Sequence, residues 1–289
     1  FQSLSDNSNS IIPLGLLGIG GIGAYFGYQK LRSKGETDSK SKDLGSETND
    51  ERADLVYTDE SSQTQLEVPS WILTPPIDDS KTVNTAIFET FSKELDSWSR
   101  MDSHPQLLNI FRIGTKPVPW AAIEESDDTP LVGQGDTFSI TETVDALKQV
   151  CDALHHVHRY GEAYKNLTTE SILYTDQGEV KLRGILDQFE EANPWYNAPE
   201  EFDGVYTERS TVYRIGVITY ELLTETLPYA EYPGGDPEAA VRDAKLSSLD
   251  EQLRDLPSDV AAILKKALTH SPEDRYETVL HMRDAFEQT

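Results

Sequence analysis

The sequence offers little for covalent cross-linking, because Cys151 is the only cysteine among 289 residues. A lone cysteine excludes an internal disulfide and any metal site that is built from several cysteines. Its simplest role is that of a small, buried hydrophobic side chain.

Basic side chains are also scarce: 25 lysines and arginines stand against 51 aspartates and glutamates, and the formal net charge is -26. A surface this negative repels phosphate backbones and anionic lipid head groups, which argues against nucleic acid as a partner and against peripheral membrane binding through a basic patch. Concentrated salt screens such self-repulsion over about 3 Å, so we predict a halophilic, archaeal source. The 37% of hydrophobic residues still suffices for a folded core.

One long run without charge lies near the start of the chain, IIPLGLLGIGGIGAYFGY at residues 11–28. Its length is at the lower end of the roughly 17–25 residues that cross a bilayer as a helix. We predict one transmembrane helix over residues 11–29. A secretory signal peptide is the alternative, but no basic segment precedes the run and no small-x-small cleavage site follows it.

The charges beside this run predict its orientation. Lys30, Arg32 and Lys34 flank its C-terminal end, and basic residues are retained on the cytoplasmic side of a membrane. Residues 1–10 are therefore predicted to be an extracytoplasmic stub and residues 30–289 to be cytoplasmic.

The rest of the chain divides by pattern into a linker and two unlike folded parts. Residues 30–53 are polar and lack an apolar period, which predicts a flexible linker. Residues 54–128 contain short strand-like stretches and one helical pattern at 84–101, whereas residues 129–289 are mostly helical. The predicted strands are DLVYT, TQLEV, SWILT, LLNIFRI and WAAIE. The predicted later helices cover 140–157, 211–224, 236–244, 258–269 and 278–286.

Four segments in the second part resemble a serine/threonine protein kinase of the bacterial and archaeal type. In chain order they are HHVHRYGEAYKNLTTESILYTDQGEVKLRG, NAPEEF, STVYRIGVITYELLTETLPYA and LTHSPEDRY. They are similar to the family's catalytic-loop region, its APE motif, its central helix and the segment before its last helix. The resemblance covers about residues 54–288 and implies an α+β, two-lobed kinase fold. The small strand-rich lobe spans 54–128, and the larger helical lobe spans 129–289.

The resemblance also locates the catalytic positions. Phosphoryl transfer depends on positioned charges, namely groups that hold the phosphates, ligands for magnesium and an aspartate that orients the attacking hydroxyl. Where the family has HRDLKPEN, this chain has YKNLTTES. Lys165 then replaces the arginine, Asn166 the catalytic aspartate, Thr168 the phosphate-binding lysine and Ser171 the magnesium-binding asparagine. The amide of Asn166 is neutral and cannot accept a proton as a carboxylate does.

The second magnesium ligand is missing as well. Where the family has KLADFG, this chain has KLRGIL, which leaves Gly184 at the position of the magnesium aspartate. A hard divalent cation requires oxygen ligands, so no metal site is expected. Two interpretations of the neighbouring Arg183 stay open. Its positive charge fills the space left by the missing aspartate side chain, or it is an exposed arginine at the end of a strand.

The first lobe departs further from the family. The hairpin expected to cradle phosphates reads VYTDESSQTQLEV and has no glycine. The strand that should end in the phosphate-binding lysine leaves Leu73 or Thr74 at that position. Glu94 occupies the place of the glutamate that pairs with this lysine, with a solvated glutamate as the alternative. Lys81 in the following loop is a possible substitute for the lysine.

The residues that stabilise the second lobe are retained. Glu200 and Arg275 match the family's buried glutamate–arginine pair, which is a bidentate, charge-assisted contact. The aspartate that supports the catalytic loop is replaced by Thr211. The activation segment lacks serine and threonine, and Tyr196 is its one hydroxyl acceptor.

Three histidines, His155, His156 and His158, raise the question of a metal site. At most His155 and His158 share a helix face, and no carboxylate or cysteine at suitable spacing completes a set of ligands. No metal is expected here.

Together these features predict a pseudokinase, the catalytically inactive cytoplasmic domain of a single-pass membrane protein. It would act in signalling or scaffolding by binding other proteins, a true kinase among them, and would need no cofactor. The alternative is a divergent, weakly active serine/threonine kinase that uses ATP and magnesium. A third hypothesis, that the domain only anchors a binding module upstream of Phe1, stays open.

Overall fold

The structure of the protein is a computed structural model. It describes residues 28–30, 70–75, 85–115, 119–126, 128–132, 138–175, 177–189, 192–230, 232–243, 253–254 and 256–289. Within these residues the chain forms a first lobe of strands with one helix and a second, mainly helical lobe. The predicted two-part α+β architecture agrees with this arrangement.

The first lobe is an antiparallel sheet with one helix. Its elements are β1 (Tyr28–Lys30), β2 (Ser70–Leu73), α1 (Thr85–Ser99), β3 (Ile110–Gly114) and β4 (Trp120–Glu124). Their order in the sheet is β1-β2-β4-β3. Helix α1 buries Phe91, Leu95 and Trp98, whose spacing places them on one side of the helix, in the same core as Leu73 of β2.

The predicted membrane helix was wrong at its C-terminal end, because Tyr28 and Gln29 belong to strand β1. Tyr28 and Gln29 pair with Leu73 and Ile72 of β2 in antiparallel register. The edge of β2 offers backbone groups for pairing, which favours an extended conformation there. Residues 11–27 of the predicted membrane helix and residues 31–53 of the predicted linker lie outside the described residues. In the part of the chain that is described, no helix has the length and apolar character needed to cross a bilayer.

The second lobe contains most of the helices. Its elements are β5 (Thr129–Pro130), α2 (Ile140–Arg159), β6 (Ile172–Tyr174), β7 (Val180–Leu182), α3 (Glu208–Thr224), α4 (Pro237–Asp243), α5 (Ser258–Ala267) and α6 (Val279–Phe286). Strands β5, β6 and β7 form a small antiparallel sheet. Helix α2 begins at a capping box, in which Ser139 and Glu142 satisfy each other's backbone N–H groups.

Helix α3 is the centre of this lobe. Every residue from Ser210 to Tyr220 is buried, and helices α2, α5 and α6 pack around it. Gly216 permits the close approach of α5, because a Cβ atom there would lie 3.0 Å from Cβ of Ala267. This helix provides a rigid base for the loops that precede it.

The apolar patterns predicted most of these elements. SWILT and WAAIE contain β2 and β4, LLNIFRI covers β3 up to Ile113, and the predicted helix at 84–101 contains α1. The five predicted later helices correspond to α2 through α6. The predicted strands DLVYT and TQLEV lie outside the described residues.

Candidate functional site

The loop that carries the catalytic positions is closed by its own hydrogen bonds. Ser171 Oγ donates to the main-chain oxygen of Asn166 at 2.9 Å and accepts from the backbone N–H of Thr168 at 3.0 Å. Ser171 is buried and starts β6 through a short 3-10 turn at Thr169–Ser171. Its hydroxyl therefore connects both ends of the loop by hydrogen bonds.

Asn166 connects this loop to the segment after β7. Its side-chain Nδ2 donates to the main-chain oxygen of Asp187 at 2.7 Å. An aspartate at position 166 cannot make this bond, because an ionised carboxylate has no hydrogen to donate. The asparagine is thus suited to a structural contact at the position where the family has its catalytic base.

Asp187 is the buried carboxylate nearest in sequence to the vacated magnesium position. Tyr164 donates its hydroxyl hydrogen to Asp187 Oδ2, and Arg183 Nε lies 3.4 Å from Oδ1. The Tyr164 oxygen also accepts from the N–H of Gly184 at 2.9 Å. Burial, followed by the charge of Asp187, raises the pKa of Tyr164 well above its ordinary value, so the hydroxyl stays protonated and donates. Asp187 is therefore engaged by a tyrosine and an arginine.

Gly184 itself lies against helix α1. Its φ is +66°, in the left-handed region, and a Cβ atom there would approach the Trp98 ring to 3.3 Å. The 3-10 turn that starts at this residue, Gly184–Phe189, ends with the Phe189 ring centroid 4.7 Å from that of Phe91. The turn thus packs beneath α1 in place of a metal-binding motif.

Leu73 and Thr74, the described first-lobe positions expected to contact phosphate, carry no cation. Leu73 is fully buried in the core and Thr74 is half-buried. Glu94 is half-buried on α1. Lys81 and the predicted hairpin at 54–68 lie outside the described residues.

A lysine that sequence reasoning overlooked lies at the junction of the lobes. Lys181 of β7 forms an ion pair with Glu124 at the end of β4. Asn109 donates to the same carboxylate through its backbone N–H at 3.1 Å and its side chain at 2.7 Å. Burial opposes ionisation, but these hydrogen bonds and the lysine charge lower the pKa of Glu124 below its usual value. Lys181 is thereby held in a structural contact.

Tyr196, the one hydroxyl acceptor of the activation segment, faces inward. Tyr196 is buried; its hydroxyl donates to Glu221 Oε2 at 2.6 Å and lies 3.1 Å from Thr169 Oγ1. Trp195 is half-buried, whereas Lys165 is exposed. The Tyr196 hydroxyl is consequently fixed between the catalytic loop and α3.

The structure brings Glu200 and Arg275 together as a bidentate pair, with nitrogen–oxygen distances of 2.7 and 2.9 Å. Arg275 is buried, donates to the main-chain oxygens of Thr269 and His270, and lies over the Tyr213 ring. Burial would raise the pKa of Glu200, but the hydrogen bonds and charge of Arg275 outweigh it and lower that pKa.

A second buried pair was missed by sequence reasoning. Arg214 of α3 donates from Nε to Glu201 at 3.1 Å and from Nη2 to Asn197 at 2.6 Å. Burial raises the pKa of Glu201 despite this arginine. The signal was available, because an arginine within the apolar run VYRIGVITY requires a partner.

Two of the three histidines of α2, His156 and His158, have separate partners. His156 Nε2 lies 2.8 Å from the main-chain oxygen of Asp102. His158 lies 3.3 Å from Thr211 Oγ1 and 3.4 Å from Glu208. Across the part of the chain that is described, no group of three or more histidine, cysteine or acidic side chains is arranged to hold a metal.

The two-lobed fold, the closed catalytic loop and the Glu200–Arg275 pair define a kinase-like protein. The family model for the protein kinase domain matches residues 77–286. The chain therefore belongs to the protein kinase domain family.

Its relatives include bacterial serine/threonine-protein kinases. The chain is 28% identical over 210 residues to PknK of Mycobacterium bovis, a match that covers 66% of this chain and 19% of that protein. It is 29% identical over 216 residues to Pkn1 of Myxococcus xanthus, covering 64% and 29%. It is 24% identical over 215 residues to PrkC of Bacillus subtilis, covering 66% and 32%. The chain thus spans less than a third of the length of each of these relatives.

Proposed function

We propose that this chain is a pseudokinase that acts in signalling or scaffolding by binding other proteins. The observation that carries the proposal is the hydrogen-bonded network around Asn166, in which the side chains of Asn166 and Ser171 both bond within the protein. Phosphoryl transfer by a protein kinase uses the residue at the Asn166 position to orient the attacking hydroxyl. It uses the residue at the Ser171 position to bind magnesium. The network supports a structural use of both.

The other catalytic positions support the same conclusion. Gly184 supplies no carboxylate, and Asp187, three residues later, is bonded to Tyr164 and lies beside Arg183. Magnesium prefers oxygen ligands with several waters retained, in an octahedral geometry. A buried carboxylate between a tyrosine hydroxyl and a guanidinium is a poor ligand for it. We therefore expect no cofactor, neither ATP nor magnesium.

The location, source and partners that we propose rest on the sequence. One membrane helix within residues 11–27, which lie outside the described residues, would anchor the chain in the cell membrane, with residues 30–289 in the cytoplasm. The net charge of -26 favours a halophilic source and protein partners, and it disfavours nucleic acid. A catalytically active kinase is one candidate partner.

A divergent, weakly active serine/threonine kinase is the second candidate, and the names of the relatives favour it. This function requires ATP, magnesium and a cation for the phosphates, for which Lys81 is the candidate. It also requires Asn166 to orient the substrate hydroxyl without accepting its proton. The bond from Asn166 Nδ2 to the main-chain oxygen of Asp187 instead supports a structural role for Asn166.

A phosphotransfer assay separates the two functions. The full chain, in detergent and molar potassium chloride, is incubated with radiolabelled ATP, magnesium and a general protein substrate. We expect no incorporation above a blank without the protein, because neither magnesium position has a suitable ligand. A salt-tolerant active kinase in the same buffer shows that the assay works. Magnesium-dependent incorporation that N166A abolishes would establish the enzyme instead.

A further inference from the structure

A groove in the second lobe lies between helices α5 and α6. Its volume is about 530 Å³, and the residues that line it all fall between Asp259 and Thr289. The groove therefore contains none of the catalytic positions at Asn166, Ser171 and Gly184. Cavities that bind small organic molecules commonly have volumes of about 300–1,000 Å³. The groove is large enough for such a ligand, and the kinase fold's chemistry does not account for it.

The floor of the groove is apolar and aromatic. Ile263 of α5 is buried, and Tyr276 and Ala285 are half-buried. Ala285 belongs to α6 and has only a methyl group, so it leaves space on that side of the groove. Sites for small molecules are typically lined by apolar and aromatic side chains, with a few polar groups that fix the ligand's orientation. This floor is suited to the apolar body of a ligand.

Lys266 places a positive charge beside this floor. Its Nζ lies 4.2 Å from the centroid of the Tyr276 ring, which is a cation–π contact, and the residue is exposed. An ammonium group has three N–H donors, and the ring occupies only one side of it. The lysine is thus held at the groove with donors that an anion can accept from.

The two carboxylates that line the groove accept hydrogen bonds from their own neighbours. Asp284 accepts from Nε and Nη2 of Arg283 at 3.2 and 2.8 Å, which offsets its charge. Asp259 accepts from the backbone N–H of Val260 at 2.9 Å. The exposed imidazole of His281 adds a further polar group to the wall. In a chain with 51 acidic and 25 basic residues, this groove combines an aromatic floor with an accessible cation.

We propose that the groove between α5 and α6 binds a small organic acid, with the acid's apolar body on Ile263 and Tyr276 and its carboxylate bonded to Lys266. A hydrogen bond from an ammonium to a carboxylate is charge-assisted and stronger than one between neutral groups. The proposal goes beyond the proposed function and does not rest on it. It gives the second lobe a ligand of its own, separate from any nucleotide.

A pair of probes that differ only in charge tests the proposal. Indole-3-acetate carries an aromatic body and a carboxylate, and indole-3-acetamide is its uncharged analogue. Both are titrated against the full chain in detergent and molar potassium chloride, and binding is followed by ligand-observed NMR. We expect the dissociation constant of the acid to be about tenfold lower than that of the amide, because only the acid accepts a charge-assisted hydrogen bond.

Three variants locate the site. K266M removes the ammonium but keeps most of the side-chain stem, so it should weaken binding of the acid about tenfold and leave the amide unchanged. K93M is the matched control, because Lys93 is an exposed lysine on α1, and it should change neither probe. A285L fills part of the groove and should weaken both probes. The melting temperature of each variant without a probe shows that it is folded.

Four results would overturn the proposal: no binding of either probe at millimolar concentration, equal affinities for the acid and the amide, unchanged binding of the acid to K266M, or unchanged binding of both probes to A285L. An equal loss in K93M and K266M would also overturn it, since the attraction would then come from the overall charge. The phosphotransfer assay is independent of these results, because the groove contains no catalytic position.

Discussion

Replacement of Arg275 by methionine is expected to lower the free energy of unfolding by about 3–5 kcal/mol, as is typical when one partner of a buried ion pair is removed. The guanidinium bonds to both oxygens of Glu200 and to main-chain oxygens at Thr269 and His270. Methionine fills much of the volume but removes the arginine donor from each of these acceptors, and Ser210 Oγ still donates to Glu200 Oε1. Denaturation by guanidinium chloride, followed by tryptophan fluorescence, measures the change in the free energy of unfolding.

Arg242 is the control for this variant. It also pairs with two carboxylates, those of Asp203 and Glu238, but the pairs lie on the surface. Surface ion pairs contribute little to stability, so Arg242 to methionine should cost far less. Equal losses in the two variants would contradict the account of the Glu200–Arg275 pair.

The same pair predicts a dependence on pH. The pKa of Glu200 is lower in the folded protein than in the unfolded chain. Its contribution is therefore complete above the ordinary pKa of glutamate and is lost as the pH falls through the lowered folded value. The difference between wild type and the Arg275 variant should shrink over that acidic range.

The second large effect concerns Arg214. Replacement by methionine leaves Glu201 buried without its arginine and should again cost about 3–5 kcal/mol. The cost lies in the uncompensated charge, since the pKa of Glu201 is already raised by burial. The same denaturation experiment measures it.

A double variant distinguishes charge from packing at this site. Hydrophobic residues of similar volume often replace a buried ion pair without loss of stability. E201L with R214M should therefore recover most of the stability that R214M alone loses. If the double variant is as unstable as R214M alone, the Glu201–Arg214 ion pair stabilises the fold in a way that hydrophobic packing does not replace.

The sequence predicted the fold better than the site, for a physical reason. Phe91, Leu95 and Trp98 recur at helical spacing, as do Val144, Leu147 and Leu154, because each helix buries one side. Such periodicity is local and can be read from a window of residues. Helices α1 to α6 were therefore foreseen within a few residues of their ends.

The contacts of the site depend on residues far apart in the chain. Asp187 bonds to Tyr164 and Asn166, and Lys181 pairs with Glu124. These partners are too far apart in the sequence for a local residue pattern to predict the contacts. The resemblance located Asn166, Ser171 and Gly184, but it did not indicate that the first two are bonded within the protein. The aspartate that contacts both Tyr164 and Asn166 lies in a turn that the sequence pattern did not predict.

Nucleotide binding is the most direct test of the central claim that this kinase fold has lost its chemistry. Melting of the full chain is followed in molar potassium chloride with millimolar ATP, with and without magnesium. A ligand that binds the folded state raises the melting temperature by mass action. We predict no shift in either condition. A magnesium-dependent rise would contradict the account, because it would require metal ligands that Ser171 and Gly184 do not provide.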